Sequence, residues 1–262
     1  MKECISIINQ KGGVGKSTTV NAIGAGLYRS GYKVLYVDLD PQGNLSYCMK
    51  ATGSENTSAD ILTGRSPIKD CIVHTDQGDL VPSSPMLTSA DIILQQNKDR
   101  KEKILQGALK PIEREYDYVI IDTPPALGFL TLNALTASTS ALIPAQADIF
   151  SLQGIGQLSQ TIDAVKKVSN RDLVIKGILI TRYNGRTILT RDLTELLEDT
   201  AEMLGTKVFN TKIRECTALK ESQAVQQDIF TYSPKCNGAV DYQQLIDEIT
   251  GENENDKFSE KI

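Results

Sequence analysis

The sequence has little of what disulfide frameworks, metal centres and membrane proteins need. It contains no tryptophan, one histidine (His74) and five widely spaced cysteines, none of which form a C-x-x-C pair. This usage argues against a disulfide framework and fits a reduced cytosolic setting. The chain has no run of about 18 consecutive apolar residues, and its first residues lack the apolar stretch of a signal peptide. We therefore expect a cytoplasmic protein.

Net charge is also low, at −5 over 262 residues, but it is unevenly distributed. Residues 166–220 hold 11 Lys and Arg against 7 Asp and Glu, so this stretch carries +4 and the rest of the chain −9. A basic sector on an acidic protein suggests a local anionic partner. A solvated helical surface with a chance asymmetry would give the same count.

The most informative motif runs from Asn9 to Thr18 and reads NQKGGVGKST. We call it the phosphate loop. The apolar run CISII precedes it and a small-residue helical pattern follows it, which is the context expected of a phosphate-binding turn. Its glycines permit close approach of a phosphate, and the following helix adds its positive N-terminal end. The alternative is a glycine-rich turn with exposed lysines. The predicted phosphate-binding residues are Lys11, Gly12, Gly13, Val14, Gly15, Lys16, Ser17 and Thr18.

The loop departs from the usual G-x-x-x-x-G-K-[ST] pattern, because Gln10 stands where the first glycine belongs and a second lysine, Lys11, follows it. Lys16 is expected to place its charge on the β- and γ-phosphates of a nucleotide. The Ser17 hydroxyl is placed to ligate Mg²⁺.

Alternating strand and helix patterns predict an α/β fold: a doubly wound, mostly parallel twisted sheet flanked by helices, similar to P-loop NTPases. We expect a single domain over residues 1–250 and an acidic, flexible tail over 251–262. Strands are predicted at 4–9, 33–38, 78–82, 118–122, 140–144, 173–181 and 207–209. Helices are predicted at 17–30, 57–62, 86–94, 98–115, 128–137, 151–168, 188–204, 217–226 and 239–250.

Carboxylates stand at the ends of two of these strands, where ligands bind in such sheets. Asp122 ends the run YVIID, and a carboxylate there is the expected partner of a hydrated Mg²⁺ beside a phosphate loop. Asp38 and Asp40 close the second strand, and either could orient an attacking water. Each group has a simpler interpretation as a turn residue before proline.

Three motifs together carry a resemblance to a known family. They read KGGVGKS at 11–17, VDLDPQGN at 37–44 and VIIDTPP at 119–125. In combination they resemble the deviant Walker A loop and partner motifs of the ParA/Soj group of the ParA–MinD ATPase superfamily. The resemblance extends over about residues 3–250.

The resemblance implies a slow, Mg²⁺-dependent ATPase that forms a sandwich homodimer when ATP-bound. Lys11 would reach the partner's phosphates, and Lys11, Lys16 and Asp40 would be the catalytic residues. Ser17, Asp38, Asp40 and Asp122 would form the metal site. The dimer would bind double-stranded DNA without sequence specificity on the nucleoid, and a ParB-like partner would stimulate hydrolysis to ADP and phosphate, which releases the DNA.

Two further sets of residues follow from the resemblance. Thr181, Arg182, Ile213 and Arg214 are expected near the adenine. Residues 213–218 depart from the family pattern, because an arginine expected near position 218 is replaced by Ala218. Lys212, Arg214 and Lys220 are possible substitutes. The predicted DNA-binding residues are Arg186, Arg191, Lys212, Arg214 and Lys220.

Other functions of related ATPases fit less well. A MinD-like membrane-surface ATPase is the main alternative, but it needs a basic amphipathic C-terminal helix. Residues 247–262 carry six acids against two lysines, so we expect no membrane partner. An iron–sulfur reductase would need a cysteine pair near a dimer axis, and the cysteine spacing offers none.

Overall fold

The computed structural model describes residues 1–96, 101–185 and 188–251. Within these ranges, strands and helices alternate through most of the chain, as predicted. The strands are β1 (Glu3–Ile7), β2 (Val34–Asp38), β3 (Val73–Thr75), β4 (Gly78–Val81), β5 (Tyr118–Asp122), β6 (Ser140–Ala145) and β7 (Val174–Ile180). The helices are α1 (Lys16–Arg29), α2 (Asn44–Cys48), α3 (Ser58–Leu62), α4 (Leu87–Gln96), α5 (Ile104–Leu109), α6 (Phe129–Ala137), α7 (Ile149–Val168), α8 (Ile188–Met203), α9 (Thr217–Ala224), α10 (Ile229–Tyr232) and α11 (Asn237–Thr250).

The seven strands form one sheet in the order β3-β4-β2-β5-β1-β6-β7. Every pair in it is parallel except β3 with β4. β2 and β5 are buried along their whole length, which explains their continuous apolar sequences, since a parallel strand in the middle of such a sheet is covered on both faces. The predicted doubly wound, mostly parallel sheet is confirmed.

Alternate residues of each strand face different layers of helices. Tyr36 of β2 packs into a cluster with α1 and α11, whereas its neighbour Val37 packs with α3 to α6 on the other face. A third cluster joins β6 and β7 to α7 and α8. Gly24 lets α1 lie directly on β2, because a methyl group there would come within 2.1 Å of the Tyr36 ring.

Several local predictions were wrong. The helix predicted over 98–115 is interrupted: residues 101–103 and 110–112 form 3₁₀ turns on either side of α5, and Pro111 cannot continue an α-helix. The strand predicted at 207–209 is a single bridge between Val208 and Ile178. The sequence analysis missed the short elements α2, α10 and β3.

α11 ends at Thr250, the predicted residue, and Gly251 caps it with φ 73°. The predicted division into a 1–250 domain and an acidic tail stays a prediction, because residues 252–262 lie outside the described residues.

Candidate nucleotide and metal site

The phosphate loop joins β1 to α1, and two of its glycines adopt conformations that other residues resist. Gly13 has φ 75° and Gly15 has φ 90°. Asn9 braces the loop, because its Oδ1 accepts the N–H of Lys11 at 2.9 Å and its Nδ2 donates to the Pro144 carbonyl at 2.7 Å. The loop is therefore fixed against the end of β6 without help from a ligand.

The first turn of α1 opens onto a cleft. Its N-cap, Gly15, has no side chain that could accept the N–H groups of that turn. Such N–H groups and the positive end of the helix dipole together favour an anion. We call the space above this turn the phosphate cleft. Its lining includes Gly12, Lys16, Ser17, Asp40 and Gln223.

Lys16 lies beneath the loop and is only 7% exposed. Its Nζ donates a hydrogen bond to the Lys11 carbonyl at 3.3 Å. Burial lowers the pKa of the Lys16 ammonium group, and the negative charges of Asp122 and Asp40 oppose that decrease. An ammonium group has three N–H donors, so the side chain retains capacity to bind an anion in the phosphate cleft.

Asp38 lies beside Asp122 because the parallel register of β2 and β5 pairs the two residues. The Asp38 carboxylate accepts the N–H of Asp40 at 3.1 Å and both the N–H and the hydroxyl of Ser46, at 2.9 and 2.7 Å. Burial raises the pKa of Asp38 to about 6, although the Ser46 hydrogen bonds act to lower it. Asp38 therefore ties α2 to the end of the strand.

Asp40 lies two residues beyond β2, on the lining of the phosphate cleft. Its Oδ1 accepts the N–H of Gln42 at 3.0 Å, and its backbone carbonyl accepts the Ser83 hydroxyl. These contacts fix the turn while the carboxylate faces the cleft. A carboxylate in that position can accept a proton or a hydrogen bond from water.

Asp122 has the least complete surroundings of the three carboxylates. It is fully buried, and within the described residues neither oxygen has a hydrogen-bond partner. Burial raises the pKa of Asp122 well above its usual range and the charge of Asp38 adds to that, whereas the Ser17 hydroxyl and Lys16 act in the opposite direction. Buried acceptors without a hydrogen-bond donor are uncommon in folded proteins, and a bound ion or water is one way to satisfy them.

These residues fit a cation held by one hydroxyl and by ligands that the chain does not supply. In the part of the chain that the structure describes, no three His, Cys, Asp or Glu side chains are arranged to hold a metal ion. Mg²⁺ keeps several waters and binds through few protein groups together with substrate phosphates. The orphaned oxygens of Asp122 suit such waters. The metal roles of Ser17, Asp38, Asp40 and Asp122 remain predictions.

Lys11 points towards α7. Its Nζ forms an ion pair with Asp148 and lies 3.5 Å from Oε1 of Gln146. Asp148 is also the N-cap of α7 and accepts the N–H of Ser151 at 2.9 Å. Partial burial acts to raise the pKa of Asp148, but the hydrogen bonds from Lys11 and Ser151 outweigh it and lower the pKa. In the single chain, a helix cap therefore holds Lys11.

A second cleft adjoins the first, and we call it the base cleft. It brings together all four residues predicted to lie near adenine. The Thr181 hydroxyl donates to the Val14 carbonyl at 2.8 Å, which fixes the end of β7 to the phosphate loop. Arg182 has φ 52°, a conformation uncommon outside glycine and often found at functional sites. The lining includes Gly15, Thr181, Arg182, Ile213, Arg214 and Tyr242.

The predicted DNA-binding residues do not form one free basic surface. Lys220 pairs with Glu215 at 2.9 Å, and Arg214 pairs with Asp241 at 2.6 Å. Lys212 lies over the Tyr183 ring, 5.0 Å from its centre. Arg191 is exposed on α8, and Arg186 lies outside the described residues. The Arg214 pairing favours a role at the base cleft over a DNA contact.

Several side chains near the clefts were missed by the sequence analysis. Asp148 precedes an apolar helical run, which is an N-cap signal that could have identified it. The others contact residues far away in the chain, and no local pattern marks them. They are Gln146, Glu215, Gln223, Asp241 and Tyr242.

Among the described helices, none is long and apolar enough to cross a membrane.

Comparison with known proteins places the chain in a family. The AAA_31 family model, an AAA domain, matches residues 2–175. The chain is 38% identical over 253 residues to the sporulation initiation inhibitor protein Soj of Bacillus subtilis (strain 168). The alignment covers 95% of this chain and 98% of Soj. The chain is also 38% identical over 245 residues to the chromosome partitioning protein ParA of Myxococcus xanthus (strain DK1622), covering 92% of this chain and 85% of ParA.

A solved structure shares the whole fold. The crystal structure of cobyrinic acid a,c-diamide synthase from Mycobacterium smegmatis with bound ADP and magnesium has a TM-score of 0.82 and 33% sequence identity. The match covers 95% of this chain and 94% of that one.

Proposed function

The chain belongs to the ParA/Soj group of partitioning ATPases, and we propose that it is an ATP-operated switch that partitions DNA. The observation that carries this proposal is the phosphate cleft. Here a buried lysine and an open helix N-terminus lie at neighbouring strand ends with Asp122, a buried aspartate whose oxygens have no hydrogen-bond partner among the described residues. That combination suits a nucleoside triphosphate with Mg²⁺. The ADP and magnesium bound by the similar solved structure support it.

In this proposal, each end of the nucleotide has its own residues. The phosphate-loop N–H groups and Lys16 bind the phosphates, and the residues of the base cleft accommodate adenine. Ser17 would ligate Mg²⁺, and Asp38 and Asp122 would hold water bound to it; the ion would supply positive charge against the phosphates. Asp40 orients a water for attack on the γ-phosphorus. The bond to the β–γ bridging oxygen breaks, and ADP and phosphate leave.

Lys11 provides the link between ATP and dimerisation. In the single chain its ammonium group is paired with Asp148. The side chains of this pair are 27% and 30% exposed, and partly exposed pairs of this kind contribute little stability, about 1 kcal/mol or less. The γ-phosphate of ATP on a second chain therefore can compete for Lys11. Hydrolysis removes that phosphate and with it the reason to stay dimeric.

We propose that the protein binds DNA and that the contact is electrostatic. Lys212, Lys220, Arg191 and Arg186 are the candidates to contact phosphates, which gives sequence-independent affinity that falls steeply with salt. We propose that the ATP-bound homodimer binds the nucleoid in the cytoplasm. A ParB-like partner then stimulates hydrolysis and releases the DNA.

The test uses Asp40→Ala to hold the protein in its ATP-bound state, because that variant is expected to bind ATP without hydrolysing it. With Mg²⁺ and ATP, Asp40→Ala should sediment as a dimer and bind random-sequence duplex DNA. The double variant Asp40→Ala/Lys11→Ala should still bind ATP but sediment as a monomer and lose the DNA affinity.

A matched control is Asp40→Ala/Lys33→Ala, since Lys33 precedes β2 at the opposite end of the sheet from the clefts. It should behave as Asp40→Ala does. Equal DNA binding by the nucleotide-free wild type, or a full dimer without Lys11, would contradict the proposal.

A further inference from the structure

Helix α11 connects the two clefts through two consecutive residues. Asp241 and Tyr242 are both buried, and each contacts a different wall of the nucleotide site. Asp241 holds Arg214 in the base cleft, while Tyr242 contacts the helix that follows the phosphate loop. None of the site residues predicted from the sequence lies on this helix.

The contact with Arg214 involves both its backbone and its side chain. The Asp241 side chain is 4% exposed. Its carboxylate accepts hydrogen bonds from the Arg214 backbone N–H at 2.9 Å, from Nε at 3.0 and 3.1 Å and from Nη2 at 2.6 Å. A bidentate guanidinium–carboxylate pair fixes orientation as well as distance. Because the backbone N–H is also bound, Asp241 positions the main chain of this wall and not only one side chain.

We call residues 213–215, which line the base cleft, the base wall. This segment is joined by hydrogen bonds to the end of β7. Ile213 donates its N–H to the Ile180 carbonyl at 2.8 Å, and Tyr183 donates its N–H to the Ile213 carbonyl at 2.9 Å. An isolated bridge joins Tyr183 to Arg214. Backbone hydrogen bonds therefore join the end of β7 to the segment that Asp241 binds.

Tyr242 fixes the same helix to the phosphate side. Its hydroxyl forms a hydrogen bond with Oγ1 of Thr19 at 3.0 Å, and its ring lines the base cleft. Thr19 lies in the first turns of α1, next to Thr18 of the phosphate loop. α1 and α11 pack against each other in the same buried cluster. Asp241 and Tyr242 thus join the base wall and the first turns of α1, which follow the phosphate loop, to one helix.

A second carboxylate strengthens this attachment two turns further along α11. Glu248 accepts the backbone N–H groups of Asn210 and Thr211, both at 3.1 Å. Residues seven apart in a helix lie on the same face, so Asp241 and Glu248 hold the two ends of the segment 210–214. Glu248 does not line the base cleft. Of the two carboxylates, Asp241 is therefore the one that contacts the base wall.

We infer that Asp241 is a positioning residue for nucleotide recognition: it sets the base wall at a fixed distance from the phosphate loop and so determines affinity for the base. This inference rests on the proposed function, since it requires a nucleotide in both clefts. Asp241 acts through Arg214 and the 213–215 backbone, and it has no part in the attack on the γ-phosphate.

The experiment compares three ligands on Asp241→Asn, each with Mg²⁺: ATP, ADP and tripolyphosphate, which lacks a base and a sugar. The dissociation constants of ATP and ADP should rise by the same factor, about tenfold, as expected when a charge-assisted contact is weakened. Tripolyphosphate affinity should be unchanged. In steady-state hydrolysis KM should rise while kcat stays within about twofold, since uniform binding alone is lost.

Asp247→Asn is the matched control, because the same chemical change is made on the same helix at a carboxylate that accepts a hydrogen bond from Gln243 of α11. It should leave all three affinities as in the wild type. Arg214→Gln tests the same contact from the other side and should reproduce the pattern of Asp241→Asn. In the double variant Asp241→Asn/Arg214→Gln the effects should not add, because both changes remove one interaction.

Two results would overturn the inference: unchanged ATP affinity in Asp241→Asn, or a parallel loss of tripolyphosphate affinity, which would indicate a general disturbance of the site. If Asp241→Asn does not fold, Arg214→Gln carries the same test with the same two outcomes. Failure of the wild type to bind ATP would instead refute the proposed function, so the two failures are distinguishable.

Discussion

The two ends of the proposed nucleotide site use the same chemical groups at very different depths. At the phosphate end Lys16, Asp38 and Asp122 are buried, and Asp122 has no exposed surface. At the outer rim of the base cleft, Glu215 bridges Arg182 and Lys220, and these side chains are 45%, 51% and 66% exposed. Both regions combine lysine or arginine with carboxylates, so depth is the main difference between them.

The depth of each group determines how its charge is stabilised. Burial shifts the pKa of Lys16 downwards and the pKa values of Asp38 and Asp122 upwards, against the charged forms. At the rim, hydrogen bonds from Arg182 and Lys220 lower the pKa of Glu215 to about 2, towards the charged form. Within the described residues, neither oxygen of Asp122 at the buried end has a hydrogen-bond partner, whereas Glu215 at the rim already pairs with two cations. We therefore expect large functional effects at the first region and small ones at the second.

The largest effect is expected for Lys16→Ala. Removing the buried donor that we propose binds the phosphates should reduce kcat/KM for ATP hydrolysis by about 100- to 1,000-fold, by analogy with other preorganised charge-stabilising groups. The protein should remain folded, because the removed ammonium group is itself poorly accommodated. Phosphate release and circular dichroism measure the two properties. Lys110→Ala is the control and should hydrolyse ATP normally, because Lys110 is an exposed residue of the 3₁₀ turn after α5 and lines neither cleft.

Asp122→Asn should separate function from stability. Loss of the carboxylate is expected to reduce Mg²⁺-dependent hydrolysis by about 10- to 100-fold, the range seen for groups that orient metal ligands. Without nucleotide, the free energy of unfolding should increase by about 1–3 kcal/mol, because a buried group that disfavours its charge is replaced by a neutral one. Urea denaturation at neutral pH measures this. A less stable variant with full activity would show that the contrast between the two regions is wrong.

The smallest effect is expected for Glu215→Gln at the rim. Its ion pairs are exposed, so the free energy of unfolding should fall by less than about 1 kcal/mol at neutral pH and low salt. Because the folded-state pKa of Glu215 is depressed, the stabilisation is present above about pH 4.5 and is lost as the pH falls towards 2. The difference between wild type and variant should therefore disappear in acid.

Denaturation curves at neutral and acidic pH, each at low and high salt, test this last expectation. High salt should also reduce the difference, since exposed charges are screened. A loss of several kcal/mol, or a difference that grows in acid, would place Glu215 in the same class as the buried carboxylates.

The phosphate end of the site was predictable because its residues are neighbours in sequence or stand at the ends of recognisable strands. The loop from Gly12 to Thr18 needs only local geometry, and Asp38 and Asp122 follow from two apolar runs and the parallel order of the strands. The four residues expected near adenine also converge on one cleft, although their roles there remain predictions. The DNA surface stays a prediction, and the charge counts behind it take no account of ion pairs such as Arg214 with Asp241.

The sequence by itself determined the α/β class, the phosphate loop and the strand-end carboxylates, because these depend on hydrophobic periodicity and on short motifs. Only the tertiary structure decided their contacts: Lys11 pairs with Asp148, Asp241 binds the base wall, and the Asp122 oxygens have no hydrogen-bond partner within the described residues. These contacts join residues far apart in the chain, and burial depends on how the layers pack. Neither property has a local sequence signal.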